Sequence, residues 1–343
     1  MSKTAAIVSL SRGVLGEDFM AHERALGEKR LAALGYTVKY MPHALAGLSY
    51  IKDHPEARAA DLLAAFRDES VDLILCAIGG DDTYRLLPYL FGNDELKNAL
   101  RKKIFLGFSD TTYNHFMLHK LGLPTFYGQS YLSDVCELED EMLPYSRRYF
   151  EELLRTGRIE CVTPSEVWYD ERTSFGVDQL GVPRQAHPNG GWELLQGASR
   201  FSGKILGGCI CSIYDMFDGE RYADCPVLVK QYGLFPAAED WKGRILLLES
   251  SEEQPSPEKY RRGLEYLKNA GVFGAVSGVL IGKPMDEKYF DEYKQLLREV
   301  IDDPALPVLV NISIGHATPR CILPFGVTAF VDADAQSIRF RYE

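Results

Sequence analysis

The sequence predicts an α/β protein: an N-terminal doubly wound parallel-sheet domain, then a second, C-terminal α/β domain richer in strands, with the active site between them. Three observations predict it. Strand and helix signals alternate through the first half at the spacing of a parallel sheet covered by helices on both faces. The length, 343 residues, exceeds one typical domain. Between Cys161 and Arg200 the periodic texture stops, and Gly, Pro, Asp and aromatic residues dominate. The expected division is therefore 1–160, 161–200 as a long interdomain loop beside the active site, and 201–343.

In chain order, Ala5 to Leu10 reads as a strand and Phe19 to Leu34 as a helix closed by Gly35. A strand follows at Tyr36 to Tyr40, then a helix at Glu56 to Asp68 and a buried, purely apolar strand at Leu73 to Ile78. Gly79-Gly80 turns the chain into a helix through Arg85-Leu86-Leu87, which Pro88 is expected to stop. Ile104 to Phe108 is a strand, and the helix from Thr111 to Leu121 ends at Gly122. Pro164 to Gly197 holds no sustained period and reads as a loop crossing between domains. The second half resumes with Gly203-Lys204-Ile205-Leu206-Gly207-Gly208 and a strand at Arg244 to Leu248. After it come a helix at Pro257 to Ala270, a strand at Ala275 to Ile281, a helix at Tyr289 to Asp302 and a strand at Val308 to Ile312. Val327 to Asp332 and Ser337 to Tyr342 alternate like a terminal hairpin.

Composition narrows the function. Apolar residues at 46% and charged residues at 25% are ordinary for a globular protein with ample core. A net charge of −11 argues against a nucleic-acid partner and reads as a solubility charge. No apolar run approaches the ~20 residues that span a bilayer. The first ten residues are too quickly interrupted for a secretory signal. Seven scattered cysteines, an odd number in a chain that needs no staples, fit a reducing cytoplasm.

Three distant apolar runs each end on a side chain with chemistry. Ile104 to Asp110 delivers Ser109, Ile245 to Glu249 delivers a carboxylate, and Val308 to His316 delivers an imidazole. Hydroxyl, imidazole and carboxylate are the parts of an activated serine nucleophile, and the carboxyl ends of parallel strands are where ligands bind. Each residue has a plainer reading: Ser109 or Asp110 as a helix cap, Glu249 as the start of a solvated acidic loop, His316 as a buried structural histidine. Gly107-Phe108-Ser109-Asp110-Thr111 lacks the last glycine of the G-x-S-x-G elbow, which counts against an α/β-hydrolase esterase. His115 and His119 share a helical face at zinc spacing, but Phe116, Met117 and Leu118 between them look like core. Gly79-Gly80-Asp81-Asp82 offers backbone N–H groups to an anion without completing a dinucleotide or P-loop pattern. A non-enzymatic two-domain solute-binding module is the remaining alternative.

Gly79-Gly80 with Arg85-Leu86-Leu87-Pro88-Tyr89-Leu90, Gly107 to Thr112, Gly203 to Gly208, Leu248-Glu249 and Asn311 to His316 together resemble the LD-carboxypeptidase family of serine peptidases, which includes the microcin C immunity peptidases. The resemblance implies a Ser109–Glu249–His316 triad, an oxyanion hole from the backbone N–H groups of Gly80 and Asp110, no metal or other cofactor, and a homodimer. It implies cleavage of an amide near the C-terminus of a small peptide or a peptidyl-nucleotide. One branch of the family releases D-alanine from murein tetrapeptides. The immunity branch cuts the bond joining an aspartyl residue to an adenylate-like group. Trp168 to Phe175 and Gly191-Trp192 resemble the longer aromatic loop of that immunity branch, which marks Trp168, Phe175 and Trp192 as substrate contacts through stacking. Phe175 stands where the resemblance expects a larger aromatic residue, and Cys209 where it expects a polar one.

Overall fold

The computed structural model describes residues 3–342. Two sheets lie at its centre. The first runs, in spatial order, Leu323–Phe325, Thr125–Tyr127, Ile104–Gly107, Leu73–Cys76, Lys3–Val8 and Tyr36–Tyr40. All of its neighbours are parallel except the edge strand Leu323–Phe325, which arrives antiparallel from the far end of the sequence. The order reverses beside Lys3–Val8: the next strand in sequence goes to one side, the later ones to the other. At that switch point the loops beyond the strand ends splay and leave a crevice.

The second sheet has eight strands. Its centre is parallel: Arg200–Cys209, Ile245–Glu249, Gly278–Gly282 and Val308–Ile312. Antiparallel strands flank it, with Thr328–Asp332 and Ser337–Arg341 forming the expected hairpin on one side and Glu193–Gln196 closing the other. The fold class read from the sequence is the one observed, a mixed α/β architecture in two parts.

The central strands are apolar because both faces are covered. Every residue of Ile245–Glu249 and of Val308–Ile312 is buried. Burying each such aliphatic side chain stabilises the fold by ~1.5–3 kcal/mol, and this rigidity fixes what the strand ends carry.

Pro88 corrects one expectation. It does not stop a helix; it stands in the first turn of one, Leu87–Phe91, after a 3-10 turn at Thr83–Leu86. The missing N–H of a proline is harmless there, because first-turn donors have no intrahelical acceptor. The long loop is also more ordered than its composition implies. It contains the ribbon Val167–Tyr169 with Ala186–Pro188, besides the edge strand Glu193–Gln196. Among the described residues no helix is long and apolar enough to cross a membrane, and all seven cysteines are free thiols.

Candidate active site

Ser109 follows the strand Ile104–Gly107 and an extended Phe108, then turns sharply with φ 65° into a 3-10 turn and the helix Thr112–Lys120. A non-glycine residue in that region costs ~1–3 kcal/mol and must be held. Its N–H donates to the Tyr127 hydroxyl at 3.1 Å, and its carbonyl accepts from Thr112 Oγ1 at 2.6 Å. Gly79 makes room for the turn, since a Cβ there would stand 2.6 Å from Ser109 Cβ and Oγ. The Asp110 carboxylate accepts from Ser11 Oγ, Thr83 N and Thr83 Oγ1 at 2.6 to 2.9 Å. It braces two neighbouring loops, and burial pushes its pKa up to about 6. Its side chain is therefore committed to those loops.

Ser109, His316 and Glu249 form one continuous chain. His316 Nε2 lies 3.0 Å from Ser109 Oγ, and His316 Nδ1 lies 2.7 Å from Glu249 Oε2. The other Glu249 oxygen accepts from the Tyr127 hydroxyl at 2.6 Å, so one phenol ties the carboxylate to the backbone of the serine. Glu249 and His316 come this close because residue 315 is glycine: φ is 86°, and a Cβ would stand 2.5 Å from Glu249 Oε2. The Arg320 guanidinium donates to the carbonyls of Gly315 and His316 and lies over the Phe108 ring, whose edge meets the imidazole.

A second carboxylate reaches the same imidazole. Glu252 Oε2 is 2.9 Å from His316 Nε2, and its side chain is 58% exposed. Burial by itself disfavours the imidazolium, but Glu249 and then Glu252 outweigh it and raise the His316 pKa to about 10. Burial likewise raises Glu252, and His316 overcomes it, bringing that carboxyl down to about 2. The Cys209 thiol shares this corner, with its sulfur within 4.8 Å of ligand atoms of Glu249 and His316. Both imidazole nitrogens are already engaged, so the cluster is better suited to proton transfer than to holding an ion. His115 is engaged in the same way, Nδ1 with Thr125 Oγ1 and Nε2 with the Gly107 carbonyl.

In front of Ser109 lies a cleft of about 380 Å³ walled by Gly79, Gly80, Arg12, Arg320, Met285 and Phe175, among others. A second chamber of about 360 Å³ shares Arg12, Arg172, Arg320 and Phe175 with it and adds the apolar wall of Phe19, Met20 and Leu138. Phe175 is 48% exposed. Trp168 and Trp192 lie outside both chambers and anchor the loop. Trp168 stacks on His187 at 4.3 Å beneath Lys283, and the buried Trp192 is fastened through its backbone to Gln336. The structure thus brings Ser109, His316, Gly80 and Phe175 around one cleft, with Glu249 buried behind the imidazole and Asp110 in the adjoining recess, and leaves the two tryptophans outside.

Sequence reasoning did not single out Tyr127, Glu252, Arg12 or Arg320. Tyr127 closes the short strand Thr125–Tyr127 between Phe126 and Gly128, where a tyrosine reads as ordinary core. Glu252 is one acid in the run Ser250-Ser251-Glu252-Glu253, and only its distance to residue 316 separates it from its neighbour.

The chain is similar to known proteins along most of its length. The model of the LD-carboxypeptidase N-terminal domain matches residues 5–128, and that of the LD-carboxypeptidase C-terminal domain matches 202–331. A Treponema pallidum protein named as a carboxypeptidase by inference is 30% identical over 92% of this chain and 86% of its own. The microcin C7 self-immunity protein MccF of Escherichia coli is 26% identical over 82% of this chain and 77% of its own. A structure of MccF with aspartyl sulfamoyl adenosine superposes with a TM-score of 0.80 at 22% identity over 100% and 97% of the two chains, a likeness of fold. The crystal structure of an MccF-like protein from Streptococcus pneumoniae in complex with AMP is 58% identical, with a TM-score of 0.98 over 100% of this chain and 99% of that one.

Proposed function

The chain belongs to the LD-carboxypeptidase family of serine peptidases, and from that premise we propose that Ser109, His316 and Glu249 cleave an amide bond in a small aminoacyl- or peptidyl-nucleotide. The observation that carries the reading is the unbroken chain from Ser109 Oγ through both imidazole nitrogens to a buried carboxylate. In its neutral form His316 takes the Ser109 proton as the hydroxyl attacks the scissile carbonyl. Glu249 holds the Nδ1–H tautomer and stabilises the imidazolium that forms. The backbone N–H groups of Gly80 and Asp110 receive the oxyanion, and loss of one such donor costs ~2.7–4 kcal/mol in the barrier. His316 then protonates the leaving amine, and water hydrolyses the acyl-enzyme.

The nucleotide is preferred over a murein tetrapeptide because the AMP-bound relative shares 58% of its residues with this chain. The two chambers are also furnished for such a leaving group, with arginines for a phosphate or sulfamate and Phe175 for a base. Free thiols throughout fit a cytoplasmic enzyme; a homodimer is the expected assembly, to be read by sedimentation.

An active-site fluorophosphonate should label wild type at Ser109 and leave Ser109→Ala unlabelled. Aspartyl sulfamoyl adenosine should be cleaved faster than murein tetrapeptide. An unlabelled wild type would return the chain to the solute-binding reading, and a faster tetrapeptide would move it to the cell-wall branch.

A further inference from the structure

The imidazole of His316 faces a carboxylate on each side: Glu249 at Nδ1, 2.7 Å away, and Glu252 at Nε2, 2.9 Å away. Two carboxylates in ion-pair contact with one ring favour its charged form, so the resting ring is an imidazolium whose Nε2–H points at Ser109 Oγ, with the Glu252 carboxylate beside that axis. In this arrangement Nε2 has no lone pair for the Ser109 proton. The site as folded is complete in its parts and switched off in its protonation.

We propose that Glu252 is a latch on His316, and that the substrate releases it with a free α-ammonium group next to the scissile carbonyl. The inference rests on Ser109 as the nucleophile. Its argument is placement and charge. The attacked carbonyl carbon must sit beside Ser109 Oγ, which is 3.0 Å from the same Nε2 that Glu252 contacts. An α-nitrogen lies two bonds from that carbon, within reach of the Glu252 carboxylate.

Glu252 also stands at the border of two unlike walls. On the strand-end side the small recess beside Ser109 carries Asp81, Asp110, Asp215, Glu252 and Glu253 against one guanidinium, Arg221, which is already paired with Asp215 and Glu253. On the other side, Arg12 and Arg320 line the cleft, and Arg12 takes no ion pair among the described residues. A substrate with an ammonium toward the first wall and an anionic leaving group toward the second matches both.

As the ammonium pairs with Glu252, the imidazolium loses its neighbouring counter-charge. It passes the Nε2 proton to water, and the freed lone pair turns to Ser109. The charged groups that set this balance are Glu249 and Glu252 at the ring, Arg12 across the cleft, and Arg320 beneath the His316 carbonyl. A peptide whose scissile residue has its α-nitrogen tied up in an amide would lack the release, so the latch selects aminoacyl compounds over internal peptide positions.

The test uses Glu252→Gln in the full chain, with Glu252→Asp beside it. The exposed position makes both variants expected to fold, which circular dichroism verifies. Aspartyl sulfamoyl adenosine and its N-acetylated form are the paired substrates. Wild type should lose at least about tenfold in kcat/KM on acetylation, and Glu252→Gln should show less than about threefold difference between the two. Removing one opposing charge lowers a pKa by ~1–3 units, so the acid limb of the kcat/KM profile for the acetylated substrate should move down by at least about one unit. Fluorophosphonate labelling at pH 7 should become faster in Glu252→Gln than in wild type, and Glu252→Asp should fall between the two.

A persistent preference for the free amine, or a pH limb and labelling rate that stay at wild-type values, overturns the latch. Neither result touches the nucleophile assignment, which fails if Ser109→Ala is still labelled or active, or if wild type and Glu252→Gln both stay unlabelled.

Discussion

Tyr127 shows how much of a reacting centre rests on a residue that does not react. Its hydroxyl accepts from the Ser109 N–H and donates to Glu249, joining groups 140 residues apart. In Tyr127→Phe the ring keeps its stack on Phe325 at 5.3 Å, so packing survives and only the hydroxyl is lost. A buried carboxylate oxygen then has no donor, which costs ~1–3 kcal/mol. The expected result is a Tm lower by several degrees and a kcat reduced about tenfold or more, with KM nearly unchanged, because the hydroxyl orients the base and the nucleophile rather than the substrate. A KM increase with unchanged kcat would contradict that role.

The reacting side chains were legible because each ends an apolar strand. Tyr127 and Glu252 were not, because their roles are distances across the fold: the imidazole and the serine alone are 207 positions apart. The same limit applies to Trp168 and Trp192, whose aromatic character was legible but not their position outside the cleft.

At the scale of elements, strand ends place the chemistry and glycines permit the approach. Gly315 is the tightest case, where the chain between Val308–Ile312 and His316 passes against Glu249. Gly315→Ala would put a methyl 2.5 Å from Glu249 Oε2 at a φ of 86°, which disfavours any side chain. The variant should lose most turnover and ~1–3 kcal/mol of stability, read by kcat and by urea unfolding. Full activity would mean that the two strand ends move apart freely.

Element type was readable wherever apolar periodicity was clean, as at Val308–Ile312, where expected and observed bounds coincide. It failed in two ways. Cys209-Ile210-Cys211 looks like strand, yet Ile210–Phe217 is a helix, because a short apolar run has no period by which to tell the two apart. Pro144–Thr156 is a helix that the sequence does announce, with Pro144 in its first turn, Tyr149, Phe150, Leu153 and Leu154 on one face, and Gly157 as its left-handed cap. Its charged, aromatic composition hid it.

For the whole molecule, the question is what holds the long loop across the crevice so that Phe175 faces the nucleophile. One buried carboxylate does much of it. Glu137 accepts from Arg172 Nε and Nη2 through Oε1 and from Arg184 Nε through Oε2, at 2.8 to 3.1 Å, and all three side chains are almost fully buried. These arginines bracket Phe175 in sequence, so the ion cluster ties both ends of its segment to the N-terminal part of the chain. Burial alone raises the Glu137 pKa; Arg184 and Arg172 outweigh it and hold it below the ordinary glutamate value. The carboxylate therefore contributes its full stability above the unfolded-state pKa of 4.5 and loses it as pH falls further. Glu137→Gln leaves the buried Arg172 guanidinium without a counter-charge and Arg184 with Glu171 alone, a loss of ~3–5 kcal/mol when one member of such a cluster is removed. The damage should stay regional. Proteolysis should speed up within 164–197, KM for a nucleotide-bearing substrate should rise at least about fivefold, and fluorophosphonate labelling of Ser109 should remain near wild type, because the relay hangs on other strands. If the variant's KM and digestion pattern match wild type, the loop is held by something other than this cluster, and the tryptophan anchors and the Asn311 contacts to Asn189 and Gly191 become the elements that position the substrate wall.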